Sequence, residues 1–163
     1  MTKSYISLGL MSGTSGDGVD ASLIKSTGSL NENNSYEVIL DKYFEYDQVI
    51  FNKIYVLRNK INTIKDLKIH SNEIEEVERL ITIFHAKVAG TFSKKYQIDL
   101  IGFHGHTIFH NPNKKITKQI GNAKLLSQLT KKNIIFDFRS NDIKNGGQGA
   151  PLAPLFHLSL IHI

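Results

Sequence analysis

At 163 residues the chain has the length of one ordinary domain, long enough to bury a core. It is 40% apolar and 21% charged, and it contains no cysteine, which excludes disulfides, thiolate metal sites and a cysteine nucleophile. The net charge of +5 is scattered in short pairs such as Lys94–Lys95, Lys114–Lys115 and Lys131–Lys132, a pattern of solvated faces that argues against a nucleic-acid-binding stripe, and no apolar run approaches a membrane span.

The first residues run straight into a strand pattern without a signal-peptide apolar region, so a cytoplasmic location is expected. Tyr5–Leu10 and Val19–Ile24 are apolar or alternating runs of about six residues, which predicts two antiparallel strands joined by a turn over residues 11–18. Residues 27–35 read as a polar loop with Gly and Asn turn signals, and Tyr36–Tyr46 as a third strand. Asp47 is placed to cap a helix over 48–59, with Val49, Ile50, Ile54 and Leu57 on one side. Ser71 opens a longer helix to about Tyr96, with Glu73 and Glu75 near its start and Lys94 and Lys95 near its end, as the helix dipole favours. Its core stripe reads Ile74, Val77, Ile81, Phe84, Val88, Phe92.

Residues 99–104 are largely apolar, as in a buried parallel strand. A turn at 111–113, a short strand at Gln119–Ile120, a helix over 122–130 and a strand over 133–137 follow. A proline-initiated helix is expected over 151–163. The resulting order, βββαβαβα, describes an α/β chain with a mixed central sheet flanked by helices, without repeats or linkers.

Two segments carry the chemistry. The first is the turn, Gly13, Thr14, Ser15, Gly16, Asp17, Gly18, Val19 and Asp20. Glycines let a backbone approach an anion closely, and its N–H groups and hydroxyls can cradle phosphate. Its carboxylates cannot bind phosphate directly but can hold magnesium, usually through water. It lacks the lysine of a Walker loop and the helix-opening pattern of a dinucleotide fingerprint. By composition alone it is also an ordinary hairpin turn. The second segment runs from Phe136 to Pro151. Asp137 stands at a carboxyl-terminal strand end, where open α/β sheets place ligands, and Gly146, Gly147 and Gly149 form a loop beyond it.

These segments, with Gly102-Phe-His-Gly-His-Thr-Ile-Phe-His110 between them, resemble the anhydro-N-acetylmuramic acid kinases over the whole chain. That family belongs to the sugar-kinase, Hsp70 and actin superfamily. The resemblance implies a ribonuclease-H-like (actin-like ATPase) lobe with a β-hairpin phosphate loop. It implies an ATP-dependent enzyme that opens a 1,6-anhydro amino sugar with water and phosphorylates O6, in peptidoglycan recycling. By the same resemblance residues 13–20 bind the nucleotide, Asp17 takes Mg²⁺ through water, and Asp137 is the base, with Asp142 as runner-up. Sugar contacts fall on His106, Thr107, Arg139, Asp142, Gly147 and Gln148, with glutamine usual in the family where this chain has His106. Asp17 and Asp137 are expected on one cleft.

His104, His106 and His110 also have a spacing that can suit a metal, but no carboxylate pattern accompanies them. Hydrogen bonding to a sugar hydroxyl is the preferred reading, and a satisfied core histidine the plain one for His104. Family chains are about twice this length, so residues 1–163 are expected to be one lobe of a two-lobed kinase, with the second lobe absent. The isolated lobe is then expected to have little activity. The alternatives are an inactive remnant, or one subunit of a split kinase acting as a ligand- or partner-binding module. The partners expected are the small sugar and either a homodimer mate or a complementing second-lobe chain.

Overall fold

The computed structural model describes residues 3–28 and 36–152. Strand β1 (Tyr5–Ser12) and strand β2 (Gly18–Ser26) pair antiparallel from Tyr5↔Ser26 to Met11↔Asp20, forming the expected hairpin with a shorter turn. β3 (Tyr36–Glu45) continues the meander against β2 and is the exposed edge of the sheet. β4 (Leu100–Asn111) lies parallel to β1, starting where Asp99 exchanges two hydrogen bonds with the backbone of Ile6. On its other edge β4 pairs first with β6 (Asn133–Phe136), parallel, and further on with β5 (Ile116–Ile120), antiparallel. The order β3-β2-β1-β4, with β6 parallel beyond it, is the mixed sheet of an actin-like ATPase lobe.

One face of this sheet is packed. Leu8 and Leu10, Val19, Ala21 and Leu23, and Ile101 and Phe103 alternate inward. They join Ile50, Ile54 and Leu57 of α1 (Gln48–Lys60) and the stripe of α3 (Ser71–Ser93) in one core. Asp47 caps α1 through Oδ1, which accepts from Ile50 N at 2.9 Å. Asn122 caps α4 (Ala123–Thr130) by accepting from Leu125 N at 2.8 Å. The opposite face carries Gly9, Met11, Asp20, Ser22 and Gly102 and stays open.

Several expectations are corrected. The α3 stripe passes through His85, fully buried, and Phe84 is only partly buried; the ring escapes a purely apolar pattern because its Nδ1–H donates to Ile81 O at 2.8 Å. The helix ends at Ser93, leaving Lys94 and Lys95 beyond its last turn. A six-residue helix, α2 (Ile64–Ile69), precedes it, and α5 (Phe138–Lys144) follows β6; the sequence reading had neither. The expected loop over 27–35 lies mostly outside the described residues. Pro151 and Leu152 have no regular structure, and the rest of the expected helix over 151–163 also lies outside them.

β4 contains a bulge. Leu10 pairs with Phe103 but Met11 pairs with Gly105, so His104 is an extra residue. Gly105 has φ +69°, and a Cβ there would lie 2.3 Å from Ile120 O. Burial changes parity across it: Ile101 and Phe103 point inward before the bulge, His106 and Ile108 after it. Gly105→Ala is expected to cost about 1–3 kcal/mol through the strained φ and the clash, seen as a lower Tm. Gly90→Ala, exposed within α3 and facing open space, is expected to gain about 0.5–1 kcal/mol.

Candidate functional site

The ends of three parallel strands, β1, β4 and β6, face the same way. The hairpin turn leaves β1 there, and Asp137 leaves β6 there.

The turn is fixed from outside. Gly16 N donates to Gly13 O at 3.1 Å, and Tyr46 N donates to Asp17 O at 2.8 Å. The Arg58 guanidinium, reaching from α1, donates to Thr14 O. From below, the Ser12 hydroxyl meets His106 Nδ1 at 3.2 Å. Gly16, at φ +71°, leaves no room for a side chain: its Cβ would come within 2.9 Å of Ile54 and 3.3 Å of the His106 ring. The Thr14, Ser15 and Asp17 side chains remain exposed. Asp17 is held below the usual carboxylate range, chiefly by the Ser15 hydroxyl donating to it, with Tyr43 adding a second hydrogen bond. Burial, and the neighbouring Asp17, push the Tyr43 phenol up. Val19 is buried, so only its backbone can serve a ligand, whereas Asp20 is exposed on the open face.

That open face forms a cleft of about 510 Å³ between Gly9, Met11, Asp20, Gly102, Phe138 and Arg139. Arg139 Nε donates to His104 Nε2 at 2.9 Å, and His104 Nδ1 lies 3.0 Å from Gly105 O. An arginine only donates, so His104 is the neutral Nδ1–H form. Burial first, and then the Arg139 charge, push its pKa down. A second hollow of about 290 Å³ contains His104, Asp137, Ser140 and Lys118. His104 is thus the wall shared by the two cavities.

Asp137 is exposed, with φ +59°, and its carboxylate accepts from the Ser140 hydroxyl. Asp142 is engaged differently: its Oδ2 accepts from Gly149 N at 2.7 Å, which ties the carboxylate to the glycine loop. Gly147 belongs to that loop, its N–H donating to Asp142 O at 2.9 Å, and Gln148 is exposed beside it. Thr107 is occupied within the sheet, accepting from Gln119 Nε2 at 3.2 Å. His106 is 0% exposed, its ring under the turn. Asp137 lines the smaller hollow, and Asp17 lines neither of the two.

The bulge also separates the histidine triplet. His104 faces Arg139, His106 faces Ser12, and His110 pairs with Thr117 at the far end of β4. Among the described residues no three His, Cys, Asp or Glu side chains converge as a metal site. A magnesium ion held by one carboxylate and otherwise by water and phosphate asks for no such cluster, and the exposed, ionised Asp17 among hydroxyls fits that need. Sequence reading missed Arg58, Tyr43, Tyr46 and His85. Arg58, Tyr43 and Tyr46 act through contacts with distant segments, which no local pattern announces, whereas His85 is held within its own helix by Ile81 O.

Burial pushes His106 down to about 4, aided by the Arg58 charge, and burial takes His85 to about 4, against ordinary values of 6.5. A lowered folded pKa means the unfolded chain binds more protons below 6.5, so stability falls as pH drops from about 6.5 toward 4. His106→Gln, which cannot titrate, is expected to flatten the Tm-against-pH curve in that window. A curve parallel to the parent's contradicts the buried neutral ring.

A sequence model of the family "Anhydro-N-acetylmuramic acid kinase" matches residues 4–163. A curated anhydro-N-acetylmuramic acid kinase of Pelagibacter ubique is 59% identical, over 99% of this chain and 43% of the relative. Those of Agrobacterium fabrum and Rhodopseudomonas palustris are 34% and 35% identical, over 94% of this chain and 41% and 42% of theirs. The chain therefore spans well under half the length of these curated relatives. With its lobe architecture and a match along almost all its length, the chain belongs to the anhydro-N-acetylmuramic acid kinase family.

Proposed function

We propose that this chain supplies the catalytic lobe of a cytoplasmic, ATP-dependent kinase for anhydro-N-acetylmuramic acid. The reaction opens the 1,6-anhydro ring with water and transfers the γ-phosphoryl group of ATP to O6. The product is N-acetylmuramic acid 6-phosphate, formed in peptidoglycan recycling. The observation that carries the reading is Asp137: an exposed carboxylate at the same end of the sheet as the hairpin turn, with one serine hydroxyl as its hydrogen-bond partner among the described residues.

Asp137 takes the proton of the water that attacks the anomeric carbon, as the bond from that carbon to O6 breaks. O6 then accepts the phosphoryl group. The turn's N–H groups and the Thr14 and Ser15 hydroxyls bind the phosphates, and Asp17 holds Mg²⁺ through water. The ion, when bound, neutralises charge on the phosphoryl oxygens. Arg139, braced by His104 at 2.9 Å, faces the larger cleft, where a sugar carboxylate suits it. Gly147 and Gln148 contact the sugar from the glycine loop that Asp142 holds through the Gly149 and Gly147 N–H groups. His106 serves the site from beneath the turn, and Thr107 from within the sheet. No helix among the described residues is long and apolar enough to cross a membrane. A second lobe, on the same polypeptide or on a complementing chain, closes the cleft against water.

The test uses a fusion in which the unmatched remainder of the Pelagibacter ubique relative follows this chain. Asp137→Asn is expected to lower kcat by roughly 10²–10⁴ while sugar affinity changes little. Asp142→Asn keeps an oxygen for Gly149 N–H and is expected to retain most of the rate. The opposite ranking would mean that Asp142 is the base. A parental fusion that phosphorylates no anhydro sugar overturns the functional reading itself.

A further inference from the structure

Arg139 is a half-buried cation that no carboxylate pairs with among the described residues. It lines the larger cleft, whose other walls include Leu10, Met11, Phe138 and Leu152. Asp20 lines the same cleft, yet no ion pair joins the two. Among the described residues the side chain makes one hydrogen bond, from Nε–H to His104 Nε2 at 2.9 Å. Burial pushes the guanidinium down from its usual value, and no neighbouring carboxylate counters the shift.

The brace is itself fixed. His104 is the bulged residue of β4, and its ring lines the open cleft. Its Nδ1–H donates to Gly105 O at 3.0 Å, and Gly105 is held at φ +69° where no side chain fits. Nδ1 therefore carries the proton and Nε2 is a bare acceptor, as a partner that only donates requires. A guanidinium meets a carboxylate in one of two planar arrangements: side-on through Nε–H and one Nη, or end-on through Nη1 and Nη2. His104 occupies Nε–H, so the side-on arrangement is closed and the end-on fork remains. Beside apolar walls, a charge pair made by that fork is stronger than it is in water.

We propose that His104 is a positioning residue for sugar binding: by holding Arg139 at Nε it aims the Nη1–Nη2 fork end-on at the carboxylate of the anhydro sugar, and so makes that carboxylate a group the lobe selects. The inference rests on the kinase reading above. The carboxylate hangs from C3 through a lactyl ether, away from the C1–O6 bond that breaks. Its capture is therefore felt equally in the ground and transition states, in KM and not in kcat.

The test compares anhydro-N-acetylmuramic acid with its methyl ester, which keeps the shape and loses the charge, in the two-lobe fusion. The parental fusion is expected to have a KM for the acid about tenfold below that for the ester. His104→Ala is expected to raise KM for the acid about tenfold, level with the ester, and to leave kcat within about threefold. His104→Gln, whose Oε1 accepts from Nε–H, is expected to keep most of the preference for the acid. Equal loss on both substrates, a loss in kcat with KM unchanged, or a glutamine variant no better than alanine overturns the proposal. Heteronuclear NMR of the unaltered chain needs no variant: the Arg139 Nε–H is expected to exchange with solvent about tenfold more slowly than that of the exposed Arg79. Equal exchange also overturns it. A parental fusion inactive on both sugars overturns the kinase reading instead, and the exchange rates still judge the brace.

Discussion

The single extra residue in β4 decides where two histidines go. Side chains alternate along a strand, so His104 and His106 would share a face if β4 ran without interruption. Both rings would then enter the core, or both would leave it. The bulge lets β4 stay parallel to β1 while sending His104 to the open cleft and His106 beneath the turn. Gly105 makes this feasible, since its left-handed backbone and the nearby Ile120 carbonyl exclude any side chain. The brace on Arg139 and the floor of the turn are consequences of one backbone irregularity.

A turn of small residues does not hold its own shape. Glycine and serine give it reach at the cost of entropy, and an anion site works only when its donors are fixed beforehand. Here the fixing comes from neighbours. Arg58 holds Thr14 O, Tyr46 N holds Asp17 O, and the His106 ring fills the space under Gly16. The Thr14 and Asp17 carbonyls and the underside of the turn are thereby occupied, and the Thr14, Ser15 and Asp17 side chains are left facing solvent. The orientation matters chemically: carbonyls turned toward an anion repel it, whereas carbonyls consumed by Arg58 and Tyr46 do not.

What was legible in the sequence follows from how local each signal is. The hairpin, β3, the Asp47 cap of α1 and the helix over 123–130 rest on patterns within a few residues, and the structure has them. α2 left little trace because it is six residues long and buries no side chain. α5 was hidden for a similar reason, with Ile143 as its one buried residue. His85 does not stand out in an apolar stripe, because a ring satisfied by its own helix can replace an apolar residue at such a position. The turn announced itself by composition. Its supports did not, since Arg58 lies 44 residues from Thr14 and His106 lies 94 from Ser12. The separation of the three histidines was hidden for a third reason: a strand pattern assumes unbroken alternation, and a bulge is invisible in it.

The two carboxylates of the second segment differ in what the fold already asks of them. Asp142 is committed, because the Gly149 N–H donates to it and its loss loosens the glycine loop. Asp137 occupies the position before α5 where an aspartate ordinarily caps the first turn, yet it makes no such cap bond. Its left-handed backbone, φ +59°, departs from the extended conformation that capping requires, so its carboxylate does not cap the helix. A strong capping residue that does not cap, held in a sparsely populated conformation at a strand end, breaks a local rule without a local gain. Such departures concentrate where chemistry sets the requirement. That asymmetry supports Asp137 over Asp142 as the proposed base, and it predicts which loss is felt in the rate and which in the shape of the loop.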